Sequence, residues 1–334
     1  MTTIARAHLG LVIAVAALAV ARARDPAPDV TPRPALLVLN KAEATLAVVD
    51  PASNVVVGRV PTGEGPHEMA VSEDGSLAFV SNYGTGQSPG RTISVIDLRA
   101  RRELRRVELG ALRRPHGIAV AAGRVYFTAE ANRLIGSYDP VSNQIDWLMG
   151  TGQDGTHMVL PNADASEIAT ANIASNTVTL FQRTQGQSWT ATSIQVGAGP
   201  EGLDRSPDGR EVWVAHSRDG GVSIIDPITK RVVQTLALGT KRSNRLKFTP
   251  NGRRVLISDL DAGELIVIDA VTRAEVTRLH LGGTPEGIQI PPDGSRTYVA
   301  LAADNVVAIV DLASLSVTGR IATGAGPDGM AWRP

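Results

Sequence analysis

The chain has 334 residues; Lys plus Arg and Asp plus Glu each total 33, so the formal net charge is zero. That balance argues against a protein built to coat nucleic acid or an anionic membrane. The composition, 43% hydrophobic and 20% charged, is globular, and the lack of any cysteine excludes disulfides, Fe–S clusters, thiol catalysis, lipoprotein acylation and c-type haem.

Taken from the N-terminus, Arg6 and His8 precede an apolar stretch from Leu9 to Ala21. It is too short to span a bilayer but suits the apolar region of a secretory signal. Small-x-small cleavage patterns follow at Ala19-Val20-Ala21 and Ala21-Arg22-Ala23. The expected organisation is a signal peptide over 1–23, a Pro-rich linker over 24–35 and one folded unit over 36–334. This implies a periplasmic or secreted protein with no membrane span after cleavage.

The folded unit is a repeat. Gly-Pro recurs at Gly65-Pro66, Gly199-Pro200 and Gly326-Pro327, with related pairs at Arg114-Pro115, Gly155-Thr156, Arg242-Ser243 and Thr284-Pro285. Successive copies stand 41 to 49 residues apart. Each leads into a short apolar strand, then a turn such as Pro207-Asp208-Gly209 or Pro292-Asp293-Gly294, and then a second strand. A third strand follows and usually ends in aspartate, as in Leu46 to Asp50, Ile93 to Asp97 and Val222 to Asp226, and a fourth closes the unit. Four strands per period of this length make a β-propeller blade. The first copy lacks its innermost strand, and the last Gly-Pro unit, Pro327 to Trp332, lacks everything else. The expected fold is therefore an all-β, seven-bladed propeller. Residues 36–63 supply three strands of the last blade and the C-terminus supplies the fourth, so no sheet edge stays open.

With Phe79-Val80-Ser81-Asn82 and Ile168-Ala169-Thr170-Ala171-Asn172 near the name-giving motif, the repeats resemble the YVTN family of seven-bladed propellers. The resemblance extends over about 36–334. It implies the fold and leaves the activity open, because propellers host binding modules, lyases and lactonases alike.

Repetition separates scaffold from site. The aspartates ending the third strand (Asp50, Asp97, Asp139, Asp226, Asp269 and Asp311) recur, and they read as turn formers. The position after the Gly-Pro proline varies instead: His67, His116, His157, Glu201, Asn244, Glu286 and Asp328. It should lie where each innermost strand begins, beside the central channel. The end of the second strand should face the same mouth, and there the sequence places Asn82, Glu130, Asn172, His216, Asp259 and Leu301, with Asn40 from the closing blade. His67, His116 and His157, flanked by Glu130 and Glu201, suit a divalent ion such as Zn²⁺, Mg²⁺, Mn²⁺ or Ca²⁺. The other reading is a polar lining of a solvated channel.

In the second blade, Pro115 to Val120, Val125 to Glu130 and Asn132 to Pro140 resemble a repeat of virginiamycin B lyase. That resemblance implies Mg²⁺-dependent elimination, with His116 matching a catalytic histidine and Glu130 an acidic partner. Gluconolactonase-like propellers offer a related reading. Arg99, Arg101, Arg102, Arg105, Arg106, Arg113 and Arg114 cluster near one outer strand; they read either as a grip for an anionic polymer or as a charged edge discouraging aggregation. The sequence thus points to an extracytoplasmic, monomeric module that binds a small molecule or a protein but no nucleic acid. The alternative is a metal-dependent lyase or lactonase using the same mouth.

Overall fold

A computed structural model describes residues 33–185 and 188–334; the expected signal peptide and most of the expected linker lie outside the described residues. Seven four-stranded antiparallel sheets form a closed ring of blades. Numbered along the chain, the innermost strands of blades 1 to 6 are Pro66–Val71, Pro115–Ala121, Thr156–Pro161, Pro200–Arg205, Ser243–Phe248 and Pro285–Gln289. Blade 7 is composite: the C-terminal strand Pro327–Arg333 pairs with Ala35–Asn40, followed by Thr45–Asp50 and Val55–Pro61. The expected closure is thus present, with its first strand beginning one residue earlier than the sequence suggested.

The strand Ala35–Asn40 shows why these residues read as an unbroken apolar run. Alternate side chains leave a strand on opposite faces. Ala35, Leu37 and Leu39 join Met69, Ala78, Val80 and Ile96 of blade 1 in one core. Leu36 and Val38 join Tyr298, Ala300, Val307 and Ile309 of blade 6 in another. Each blade is buried on both faces between its neighbours, so its middle strands are mostly apolar, with buried hydroxyls and amides such as Ser81, Thr128 and Asn172 among them. The outer strands alternate exposed and half-buried residues, as in Arg102–Glu108.

The recurring aspartates cap turns, as expected. Asp50 accepts from Ala52 N at 3.0 Å, Asp226 from Ile228 N at 2.8 Å and Asp311 from Ser314 N at 2.7 Å. Most of the arginines near the outer strand of blade 1 are spent locally. Arg106 pairs with Glu103 at 2.8 Å, Arg105 Nε donates to Tyr138 Oη at 3.0 Å, and Arg113 donates to Gly110 O at 2.6 Å. That arrangement suits a charged edge rather than a polymer grip.

Candidate functional site at the axial mouth

The residue before each innermost strand turns the chain back toward the axis. It takes a left-handed conformation in Gly65 (φ 58°), Gly155 (φ 64°), Gly199 (φ 70°) and Gly326 (φ 63°), which is why glycine recurs there. Arg114 adopts the same strained angle, φ 55°, with a side chain attached, and its guanidinium lies 4.8 Å from the centre of the Tyr83 ring. Beyond the mouth residue a second glycine lets neighbouring blades almost touch. A Cβ at Gly117 would stand 2.7 Å from Met158 Cα, and one at Gly202 2.6 Å from Asn244 O. This close approach crowds seven variable side chains around one narrow axis.

Three of them cluster ring against ring. The His116 and His157 rings lie 3.6 Å apart with an interplanar angle of 29°, and His67 stands 4.3 Å from His116. Hydroxyls of the preceding blades fix their main chain: Ser81 Oγ donates to His116 O at 2.6 Å and Thr128 Oγ1 to His157 O at 2.9 Å. His157 Nδ1 lies 3.1 Å from Glu130 Oε2, which also accepts from Tyr83 Oη at 3.2 Å. His67 Nδ1 is 2.6 Å from Asp328 Oδ2, though not aligned as a hydrogen bond. Buried and without hydrogen-bond partners are His116 Nδ1 and His157 Nε2. Buried polar atoms are seldom left so, and these two mark a place where a ligand can bond.

Across the axis, Arg245 from blade 5 joins Glu68 of blade 1 and also lies 3.7 Å from Asp328 and 4.0 Å from Glu201. Lys41 sits 2.9 Å from Asp328 and 3.2 Å from Glu286. Asn244 Nδ2 donates to Glu201 Oε1 at 2.7 Å. Below this bridge the channel continues as a cavity of about 190 Å³ lined by Met69, Ile118, Leu203, Ile288 and Met330. Arg245 and Glu68 also line this cavity, with Lys247 and Gln289, so its lining is mixed polar and apolar.

Burial sets the protonation states. It drives His116 well below the usual imidazole range, helped by the neighbouring imidazoles, so His116 is neutral at pH 7. Burial pushes Glu286 up to about 8, reinforced by the Asp328 charge. Burial also acts on Asp328, but His67, Lys41 and Arg245 outweigh it and hold its carboxyl well below the usual range. Glu286 is thus a neutral acid beside an ionised Asp328. Between pH 4.5 and 8 the folded chain keeps a proton on Glu286 that the unfolded chain has released, so this residue lowers stability as pH rises through that window. His116, whose folded value is depressed, acts in the opposite sense and costs stability as pH falls below 6.5. Urea denaturation of Glu286→Gln and wild type at pH 5, 6, 7 and 8 should show the variant gaining on wild type as pH rises. A constant difference would contradict the assignment.

The first expected ring of site residues, His67 to Asp328, is found at the mouth. The second is displaced by one residue. Asn172, His216 and Asp259 end their strands and Asn82 lies two residues before the end of its own, but their side chains are spent within the scaffold. Asn82 accepts from Gly63 N at 3.0 Å, and Asn172 Nδ2 donates to Thr179 Oγ1 at 3.0 Å. His216 Nδ1 lies 2.9 Å from Asp219, and Asp259 accepts from Lys241 N at 2.7 Å. Asn40 donates to Thr323 O at 3.0 Å in the same manner. The next residue of the strand points the other way, so Tyr83 reaches the mouth, and Lys41, in the turn after Asn40, reaches it as well. In blade 2, Ala129 ends the strand opposite Pro115, and Glu130 belongs to the following 3₁₀ turn, Glu130–Asn132. Glu130 therefore takes part for a different reason from the one its alignment with Asn82 implied. Lys41, Glu68, Tyr83 and Arg245 are absent from the sequence-derived set. A signal for Arg245 and Glu68 existed, since both replace the glycine that follows the mouth residue in Gly117, Gly202, Gly287 and Gly329.

The three imidazoles do come together, but the His116 and His157 rings, 29° apart, aim their nitrogen lone pairs along nearly parallel planes, and His67 is tilted 50° to His116 with its Nδ1 beside Asp328. Among the described residues the group with ligand atoms close enough to share an ion is His67, Glu68 and Asp328, within 4.8 Å of one another. An ion there would have to displace Arg245 from Glu68 and Lys41 from Asp328. These residues fit a divalent cation poorly, because two fixed cations already neutralise the acids.

With the geometry established, the chain can be set against known proteins. The profile of the YNCE-like β-propeller family matches residues 140–331, more than half of the sequence. The chain belongs to the YNCE-like β-propeller family. No curated protein matches it significantly. Among solved structures, this YNCE-like propeller resembles a putative 6-phosphogluconolactonase from Bacteroides uniformis, at 15% identity and a TM-score of 0.76, covering 90% of this chain and 99% of that one. It also resembles the Pseudomonas aeruginosa periplasmic gluconolactonase PpgL, at 17% identity and 0.73, with the same coverage. Kuenenia stuttgartiensis hydrazine synthase matches at 20% identity and 0.67, over 79% of this chain and 88% of that one. At such identities the likeness is one of fold.

Proposed function

We propose that this YNCE-like propeller is an extracytoplasmic binding module whose axial mouth takes a small, oxygen-rich molecule, such as a polyhydroxylated acid or its lactone. The observation that carries this reading is the pair of buried, unpartnered nitrogens, His116 Nδ1 and His157 Nε2, at one mouth. Lys41 offers a donor beside them, while Glu130 and Glu201 accept, so hydroxyl and carboxylate groups both find partners. Half-exposed Lys41 opens the mouth to solvent, with 35% of its side chain accessible. Export rests on the apolar segment from Leu9 to Ala21.

A second reading, ring opening of a lactone, is favoured by the placement of Glu130 on His157 Nδ1. A carboxylate so placed orients the imidazole and leaves Nε2 to take a proton from water. The proton would pass to His157 as the water oxygen bonds to the carbonyl carbon, and it would then return to the departing ring oxygen.

Calorimetric titration with gluconate and glucono-1,5-lactone tests both readings. Wild type should bind, and His157→Gln should bind at least about tenfold more weakly, the equivalent of one lost charged or buried hydrogen bond. Lactone turnover above the spontaneous rate that disappears in Glu130→Gln would establish the second reading. Binding without turnover would leave the module reading alone. No heat with either compound would overturn both.

A further inference from the structure

We infer that the outer crevice between blades 2 and 3 is a binding site for a pyranose ring. Its lining includes Arg124, Tyr126, Ser137, Asp146, Trp147 and Trp189, around a cavity of about 350 Å³. That volume is in the range of small-molecule sites, roughly 300–1,000 Å³.

Aromatic residues are scarce in this chain, with Trp, Tyr and Phe at four each, yet two of the tryptophans and one tyrosine meet here. The Trp147 and Trp189 rings are 5.3 Å apart at 44°, and Tyr126 stands edge-on to Trp147 at 6.5 Å. The test that separates scaffold from site applies again. Trp147 occupies the outer-strand position held by Gly58 in blade 7, Arg105 in blade 1, Gln234 in blade 4 and Gly319 in blade 6. Blade 3 lacks the turn aspartate, having Gln182 in its place, and its third strand continues to Arg183, which pairs with Trp189. Both tryptophans therefore sit where the repeat is broken, not where it is kept.

A second observation points to a ligand. Tyr126 lines the crevice, and its hydroxyl makes no hydrogen bond to any described residue, so it is free to bond a ligand. The indole N–H groups of Trp147 and Trp189 are likewise unbonded among the described residues, whereas Trp213 Nε1 donates to Glu211 at 2.7 Å. Asp146, 3.1 Å from Arg124, completes an edge of donors and acceptors beside the aromatic floor. A pyranose presents such a pair of surfaces, an apolar C–H face and a rim of hydroxyls. The Arg183 guanidinium, 5.0 Å from the Trp189 ring centre, already fills the place an organic cation would take on that ring.

The test is titration of the full-length protein with glucose, N-acetylglucosamine, cellotriose and chitotriose, followed by tryptophan emission and calorimetry. At least one sugar should shift the emission and release heat. Preference for a trisaccharide over its monomer would assign the crevice to a glycan chain, and equal affinity to a free sugar. Trp147→Ala and Asp146→Ala should each weaken binding by about tenfold, the scale of one stacking or hydrogen-bonding contact. If Trp147→Ala does not fold, Trp147→Phe and the exposed Asp146→Ala carry the comparison. No emission change and no heat with any of the four sugars would overturn the inference, as would equal affinity in wild type and the cleft variants.

Discussion

Deleting residues 326–334 should abolish cooperative unfolding, leaving a protein without a sharp melting transition or a native near-ultraviolet spectrum. The segment contributes the entire innermost strand of blade 7, in register from Ala35↔Arg333 to Asn40↔Pro327. Its loss uncovers the ladder edge of Ala35–Asn40, removes Met330 from the core shared with blade 6, and removes Ala331 from the core shared with blade 1. Arg333, fully buried, also ties the ring to blade 1 by donating from Nε to Gly75 O at 2.8 Å. Each fully buried large apolar side chain is worth about 1.5–3 kcal/mol. Net stabilities are only about 5–15 kcal/mol, so losing a strand that touches two cores leaves no margin. Calorimetry would check this, and an unchanged transition in the truncated protein would count against ring closure by the two ends.

Arg245→Met should be the most damaging point substitution at the mouth. The guanidinium is 5% exposed and stands among Glu68, Asp328 and Glu201, three acids from three different blades. Removing one partner of a buried ion pair typically costs about 3–5 kcal/mol, because the other charge is left uncompensated. Much of that loss should be recovered in Arg245→Met/Glu68→Met, which removes the charge that the single variant strands. A double-mutant cycle by urea denaturation would measure the coupling, and additive losses would show that Arg245 does not act through Glu68.

The fold was legible because its signals repeat. Gly-Pro, the turn aspartates and the apolar third strand each occur several times, so one degenerate copy such as Val178 to Gln182 does not hide the period. The innermost half of the site was legible for the same reason, since His67, His116 and His157 vary at a position that the neighbouring glycines and prolines fix. The second half was misplaced by one residue. Counting along the chain cannot reveal that the register shifts between Pro66 and Met69, and a single step moves a strand side chain to the other face. Asn82 and His216 therefore belong to the scaffold, while Tyr83 and Lys41 belong to the mouth. The stacking of the imidazoles was beyond reach as well. Adjacency follows from blade order, but ring orientation depends on Glu130 and Asp328 arriving from elsewhere in the ring.

Ring resonances of the histidines give the most direct measurement of the claim that one end of the axis binds the ligand while the polar residues at the ends of the second strands hold the scaffold. Protein labelled with ¹⁵N-histidine, titrated with gluconate at constant pH, should show shifts in His67, His116 and His157, whose rings cluster at the mouth. His216, paired with Asp219, and His280, on an outer strand, should stay unmoved. Perturbation centred on His216 or His280, or no perturbation of the three clustered rings, would contradict the account.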